Sequence, residues 1–163
     1  MYETNRPATV KDALHLANNL RADDRREVLG LGHTPLVLTA CVSKSNGTAV
    51  SMFRPDNGDL AGIAGVMPGV NKGEGIIWMV CTPAIEGKGL LFVRNAKRWL
   101  KEIEKDYDYL WNLADARNHL HHRFLRMMGF KSLKTQHPAP YYIPYLEIVR
   151  LCAYPPRPSQ QQP

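Results

Sequence analysis

Apolar and polar positions change period several times along the chain, and each change marks an element. Ala13, Leu16, Ala17 and Leu20 recur at helical spacing behind Thr9 and Asp12, a start that resembles a capping box. A first helix of about three turns is expected there. The run RADDRREVLGL (21–31) opens with acids and carries adjacent arginines, which predicts a short exposed helix ending at Gly30 or Gly32. Thr34 and Pro35 form another helix start, followed by Leu36, Val37, Ala40 and Cys41 on one side and an end within SKSNG (43–47).

The period then shortens. TAVSMFR (48–54) and LAGIAGV (60–66) read as strands joined through PDNGD (55–59), the turn chemistry of a hairpin. A glycine-rich loop (68–75) leads to IIWMVCT (76–82), almost wholly apolar, as a central strand covered on both faces should be. From Gly89 onward, Val93, Ala96, Leu100, Ile103 and Tyr107 keep a helical period, with Arg94, Lys97, Arg98, Lys101 and Lys105 largely outside that stripe. YLWNLA (109–114) is the next strand. Residues 118–128 form a helix with Leu120, Phe124 and Met127 inward, closed by Gly129 as a left-handed cap. Phe130 re-enters the sheet, and YLEIVRLC (145–152) is the last strand. This order predicts an α/β domain over 1–153 with ligand sites at strand ends. The Pro/Gln-rich tail 154–163 holds too little apolar content to pack and is expected to be flexible.

Composition narrows the class without choosing a function. A chain of 163 residues is one domain in size, with 44% hydrophobic and 22% charged residues, the balance of an ordinary globule. No apolar run approaches the roughly 18 residues of a membrane span. The opening MYETNRPATVKD has no basic segment followed by an apolar one, so no secretory signal is expected. Cys41, Cys81 and Cys152 are far apart and odd in number, which argues against a disulfide framework or a zinc site. The formal charge of +6 favours phosphate-bearing partners, but it is spread along the chain.

Candidate chemistry concentrates after residue 75. Gly87-Lys88-Gly89 separates a strand from a helix, and glycines there free the helix-start amides to meet an anion, although Glu86 beside them opposes one. His119, His121 and His122 open the second helix without an acidic or cysteine ligand nearby, so a solvated helix face is expected and no metal. Cys81 ends the central strand, where a small buried hydrophobe explains it as well as reactivity does. Trp78, Trp99 and Trp111 fall on core-type elements. The basic face of Arg94, Lys97, Arg98 and Lys101 reads as solvated, and the charged run 23–27 as either a solvated helix or one that meets a partner protein.

One constellation is more specific. A strand, Gly-x-Gly opening a helix, a second strand, then Asn118, Phe124, Gly129 and Phe130 at their spacing resembles the GCN5-related N-acetyltransferase (GNAT) fold. The resemblance implies a single domain with a mixed, mostly antiparallel sheet flanked by helices. A splayed parallel strand pair should leave a cleft bounded by residues 83–89, with a right-handed crossover joining the pair. It further implies acetyl-CoA or CoA held by Val80, Cys81, Thr82, Gly87, Lys88, Gly89, Asn118 and Phe124. Two positions depart from the family pattern. Ala84 stands where Arg or Gln is usual, and Leu125 stands where a tyrosine protonates the departing thiolate. His121, one turn before Leu125, and Tyr142, beside Tyr141 in the loop before the last strand, are the substitute proton donors on offer.

The opening residues 6–28, IIWMVCT, FVRNAKRWLKEI and ARNHLHHRFLRMMGF together resemble a tailed-bacteriophage branch of that fold, described as internal virion or acetyltransferase-like proteins. The branch implies a virion-associated assembly protein with reduced or absent chemistry, located in the virion and in the host cytoplasm during infection. Other virion proteins would be its partners, and packaged DNA would meet Arg94, Lys97, Arg98 and Lys101. The alternative is a working N-acetyltransferase acting on an amine of a host or phage protein. Leu125 and Ala84 favour the first reading, and the Gly87–Gly89 turn favours the second.

Overall fold

Two long antiparallel strands, β3 (Leu60–Pro68) and β4 (Glu74–Cys81), form the centre of the sheet, with Ile63 and Val66 of β3 wholly enclosed. This is a computed structural model, and it describes residues 4–152. Before the central pair come β1 (Asn5–Pro7), α1 (Val10–Asn18), α2 (Ala22–Gly30), α3 (Val37–Lys44) and β2 (Val50–Phe53). After it come α4 (Gly89–Ile103), β5 (Tyr109–Asp115), α5 (His119–Met127), β6 (Lys131–Gln136) and β7 (Tyr145–Leu151). They form one seven-stranded sheet in the order β1-β2-β3-β4-β5-β7-β6, antiparallel throughout except for the parallel pair β4 and β5. The expected α/β architecture, mixed and mostly antiparallel, is the one observed.

The two-residue alternation of the strands sorts the helices onto faces. Ile63 and Trp78 pack with Leu16, Val28 and Leu38 from α1, α2 and α3. Their neighbours in sequence, Ala64, Val66, Ile77 and Met79, pack instead with Phe92, Val93 and Leu100 of α4. The helices therefore cover both sides of the sheet. Thr9 and Asp12 make a complete capping box at α1, as their spacing predicts.

Several expectations need correction. The loop expected over 68–75 is shorter, residues 69–73, since β3 runs to Pro68 and β4 begins at Glu74. The short β1 and the exposed β6 lacked any apolar alternation by which to be read. On α5 the inward face is rotated: His122, Leu125 and Met128 are buried, whereas Leu120 and Met127 lie 44% and 47% exposed. A helix of nine residues offers few apolar positions, and the buried histidine takes a place that pattern reading gave to leucine. Gly129 does adopt the left-handed cap, with φ 83°. The tail 154–163 lies outside the described residues.

One glycine fixes where the parallel pair begins. At Gly75 an added Cβ would lie 2.6 Å from Leu110, 2.8 Å from Val66 and 2.9 Å from Tyr107. Gly75→Ala is expected to cost about 1–3 kcal/mol through overpacking, read as a lower urea midpoint at unchanged m. An unaltered midpoint would mean that the two strands part easily at this point.

Candidate functional site

Strands β4 and β5 stay together for only three residue pairs, Glu74↔Tyr109, Gly75↔Leu110 and Ile76↔Trp111. Beyond Ile76 they diverge, and side chains hold the fork at both ends. At its root the Asn112 side-chain amide donates to the Ile77 carbonyl (Nδ2···O 2.6 Å), taking a group that a continued ladder would use. At its open end the Cys81 amide donates to Asp24 Oδ2 (3.2 Å), and the Cys81 carbonyl accepts from the Arg21 amide (2.8 Å). Peptide direction alternates along a strand. Met79, between Ile77 and Cys81, therefore turns its N–H and C=O into the gap.

A cavity of about 230 Å³ threads the fork. Trp78, Val80, Val28, Leu38 and Leu113 line it on the α2/α3 side, and Met79, Ala96, Trp99 and Leu125 on the α4 side. Polar groups enter the lining at few places, among them Glu27 and His121. The Asn5 side-chain oxygen, also in the lining, is buried with no hydrogen-bond partner.

Behind Glu27 and His121 sits a buried polar cluster. Arg21 and Asp24, 8% and 4% exposed, pair through Nε···Oδ2 at 3.2 Å. Asn118, wholly buried, caps α5 and links the rest. Its oxygen accepts from Arg21 Nη2 (2.9 Å), and its amide donates to Asp24 Oδ1 (3.1 Å) and Glu27 Oε2 (2.9 Å). The same Glu27 oxygen lies 3.5 Å from His121 Nδ1. Glu27 Oε1 and His121 Nε2 hydrogen-bond to no described residue.

Electrostatics follow from this packing. Burial pushes the Asp24 carboxyl above its ordinary range, only partly opposed by Arg21. Burial would lower the His121 imidazole, but the Glu27 and Asp24 carboxylates outweigh it and raise its pKa. Burial, reinforced by Asp24, pushes the Cys81 thiol well up. Cys81 is thus a protonated, enclosed thiol, unsuited to act as a nucleophile.

The sequence-derived site residues separate into those the fold gathers and those it does not. Val80, Phe124 and His121 line the cavity, and Asn118 stands directly behind it. The peptide of Cys81 is occupied by α2. The Thr82 hydroxyl donates to the Leu60 carbonyl (2.7 Å) and caps Ala84 (3.2 Å), so this residue terminates the strand. Residues 83–89 do not bound the cavity, contrary to expectation; they lie past the end of β4. Gly87 there takes φ 76°, and an added Cβ at Gly87 or Gly89 would meet nothing within 4 Å. Lys88 precedes α4 without a side-chain cap and lies 3.7 Å from Asp56. Arg54 braces the turn by donating to the Ala84 (3.2 Å) and Glu86 (3.1 Å) carbonyls. Tyr142 is 66% exposed and does not line the cavity.

The solvated face expected for the three histidines holds for His119 and fails for His121 and His122, and in the 23–27 run Arg26 is exposed whereas Asp24 is buried. His122 is buried, its Nε2 2.8 Å from the Asp115 carbonyl, and the His121 side chain is 11% exposed. Arg21, Asp24 and Glu27 are the residues at and behind the cavity that pattern reading missed. Their three-residue spacing puts them on one helix face, the signal that could have found them.

The features present suit an acyl-CoA. The turned peptide of Met79 and the apolar fork would take a pantetheine arm and thioester, and the open, uncapped start of α4 would take its phosphates. Leu125 supplies no proton there.

No family model matches the chain, and no curated protein matches it. Solved structures do. An acetyltransferase of the GNAT family from Streptococcus pneumoniae is 19% identical, with a TM-score of 0.63 over 91% of this chain and 98% of that one. Ribosomal-protein-alanine N-acetyltransferase from Brucella melitensis is 17% identical, with a TM-score of 0.66 over 91% and 99%. A GNAT superfamily phosphinothricin acetyltransferase from Sinorhizobium meliloti, solved in complex with acetyl-CoA, is 14% identical, with a TM-score of 0.67 over 99% and 95%. With its single parallel pair forked over a lined cavity, this chain has the GNAT acetyltransferase fold.

Proposed function

We propose that the protein is an acetyl-CoA-dependent N-acetyltransferase. The observation that carries this reading is that the Glu27–His121 pair and Met79, whose peptide turns into the fork, line one cavity. When bound, acetyl-CoA supplies an activated acetyl thioester. The Met79 amide is positioned to donate to an acyl oxygen within the fork. Glu27 meets the incoming amine. His121 keeps Nδ1 towards Glu27 and holds a proton on Nε2, in place of the hydroxyl that Leu125 lacks. The balance needs one N–C bond made, one C–S bond broken, and one proton lost by nitrogen and one gained by sulfur.

The phage branch, the virion location, and the protein and DNA partners rest on the sequence resemblance alone. The enzyme reading is preferred because Glu27, half-buried in the cavity lining, keeps one carboxylate oxygen free of any described partner, as a group that meets a ligand would. Titration with acetyl-CoA in a calorimeter is expected to give saturable heat. Silence at about 1 mM ligand, a binding energy near −4 kcal/mol, retires the reading.

A further inference from the structure

We infer that the acceptor is a primary amine on a compact apolar body, such as an arylalkylamine, seated between α2, α3 and the sheet. The inference rests on the acetyltransferase reading for the identity of the reaction, and on separate residues for the identity of the amine. On the α2/α3 side of the fork the cavity wall is Val28, Leu31, Leu38, Cys41, Trp78 and Leu113. Val28, Leu38 and Trp78 are buried and Leu31 is half-buried. Apolar surface in this lobe gains by excluding water, and a hydrophilic chain placed there would lose its hydration without replacement hydrogen bonds. Trp78 cannot offer its indole N–H, which already donates to Ser45 Oγ (2.9 Å).

Among the described residues, the only carboxylate in the cavity lining is that of Glu27, and His33 is the basic group on the α2/α3 side. Glu27 has Oε2 committed to Asn118 and His121 and Oε1 unbonded among the described residues. Arg21 offsets the Asp24 charge within the pair, and the Glu27 carboxylate is left to His121 and to a ligand. One anionic oxygen beside an apolar wall fits one ammonium on an apolar body. A polyamine or a lysine-rich segment would need a second anionic contact, and the remaining polar groups of the lining, Asn5, His33, Asn112 and His121, carry no negative charge. The cavity volume of about 230 Å³ lies below the roughly 300–1,000 Å³ of sites that enclose drug-sized ligands. That volume is the whole fork, shared with the pantetheine arm and thioester, so the acceptor body is limited to at most about a single ring.

The test compares phenethylamine with 1,4-diaminobutane by calorimetry on the full chain without acetyl-CoA, so its outcome does not depend on cofactor binding. Phenethylamine is expected to bind at least tenfold more tightly, and equal or reversed affinity overturns the inference. Glu27→Gln should weaken phenethylamine at least tenfold while leaving ethylbenzene, its uncharged analogue, within twofold. A parallel loss of both would assign Glu27 to structure and overturn the proposed ammonium contact. Should acetyl-CoA bind while phenethylamine does not, this inference falls and the acetyltransferase reading stands. The opposite pair of results retires the reading and keeps the amine pocket.

Discussion

Arg21→Met is expected to destabilise the protein by about 3–5 kcal/mol, because it leaves Asp24 buried without its counter-charge. The guanidinium also donates to Asn118, so its removal leaves the Asn118 oxygen short of its closest donor. Urea unfolding at neutral pH measures the loss. A pH series identifies the cause. The Asp24 carboxyl already sits above its ordinary range, and without Arg21 it rises further. A carboxyl whose folded pKa is raised binds protons more readily folded than unfolded, so the deficit should shrink as pH falls through that pKa. A deficit that stays constant from neutral pH to pH 5 would mean that lost packing, not the stranded charge, is responsible.

His121→Asn is expected to lower kcat by about 10²–10⁴, the usual worth of a positioned proton donor. The acid form is the one required, so kcat in the wild type should fall as pH rises through the His121 pKa, which lies above 6.5. The variant should lose that limb, and Glu27→Gln should move it to lower pH by removing the leading opposing charge. Leu125→Tyr in the His121→Asn background should restore part of the rate, since Leu125 lines the same cavity. A full-speed His121→Asn enzyme with the limb intact would exclude His121 as donor. The same shift has a stability consequence. Because the folded pKa is raised, the stabilisation from Glu27 and Asp24 is complete below pH 6.5 and disappears as pH climbs through the folded value.

How much of this was legible in the sequence differs by element. The long helix α4 and the central strand β4 declared themselves because burial on a regular period leaves a regular apolar pattern. The fork itself was reached through the resemblance, on glycines and on Asn118, Phe124, Gly129 and Phe130, and not from periodicity. The polar heart of the site was misread for a physical reason. Arg21 and Asp24 pair with each other, and Asn118 joins both to Glu27 in three dimensions, whereas a linear reading sees charges and assigns them to water. Asn118 was singled out, but its role as the joint between α2 and α5 depends on partners more than ninety positions away. The edge strands β1 and β6 left no apolar record because they bury little.

The bond from Asn112 to the Ile77 carbonyl has a kinetic corollary. Two parallel strands with matched edges would otherwise close like a zip as the domain forms, and a latecomer would have to prise them apart. A side-chain plug at the crotch stops that closure before any guest arrives. The aperture is therefore built by the polypeptide alone, and association should proceed in a single phase whose rate constant rises linearly with guest concentration.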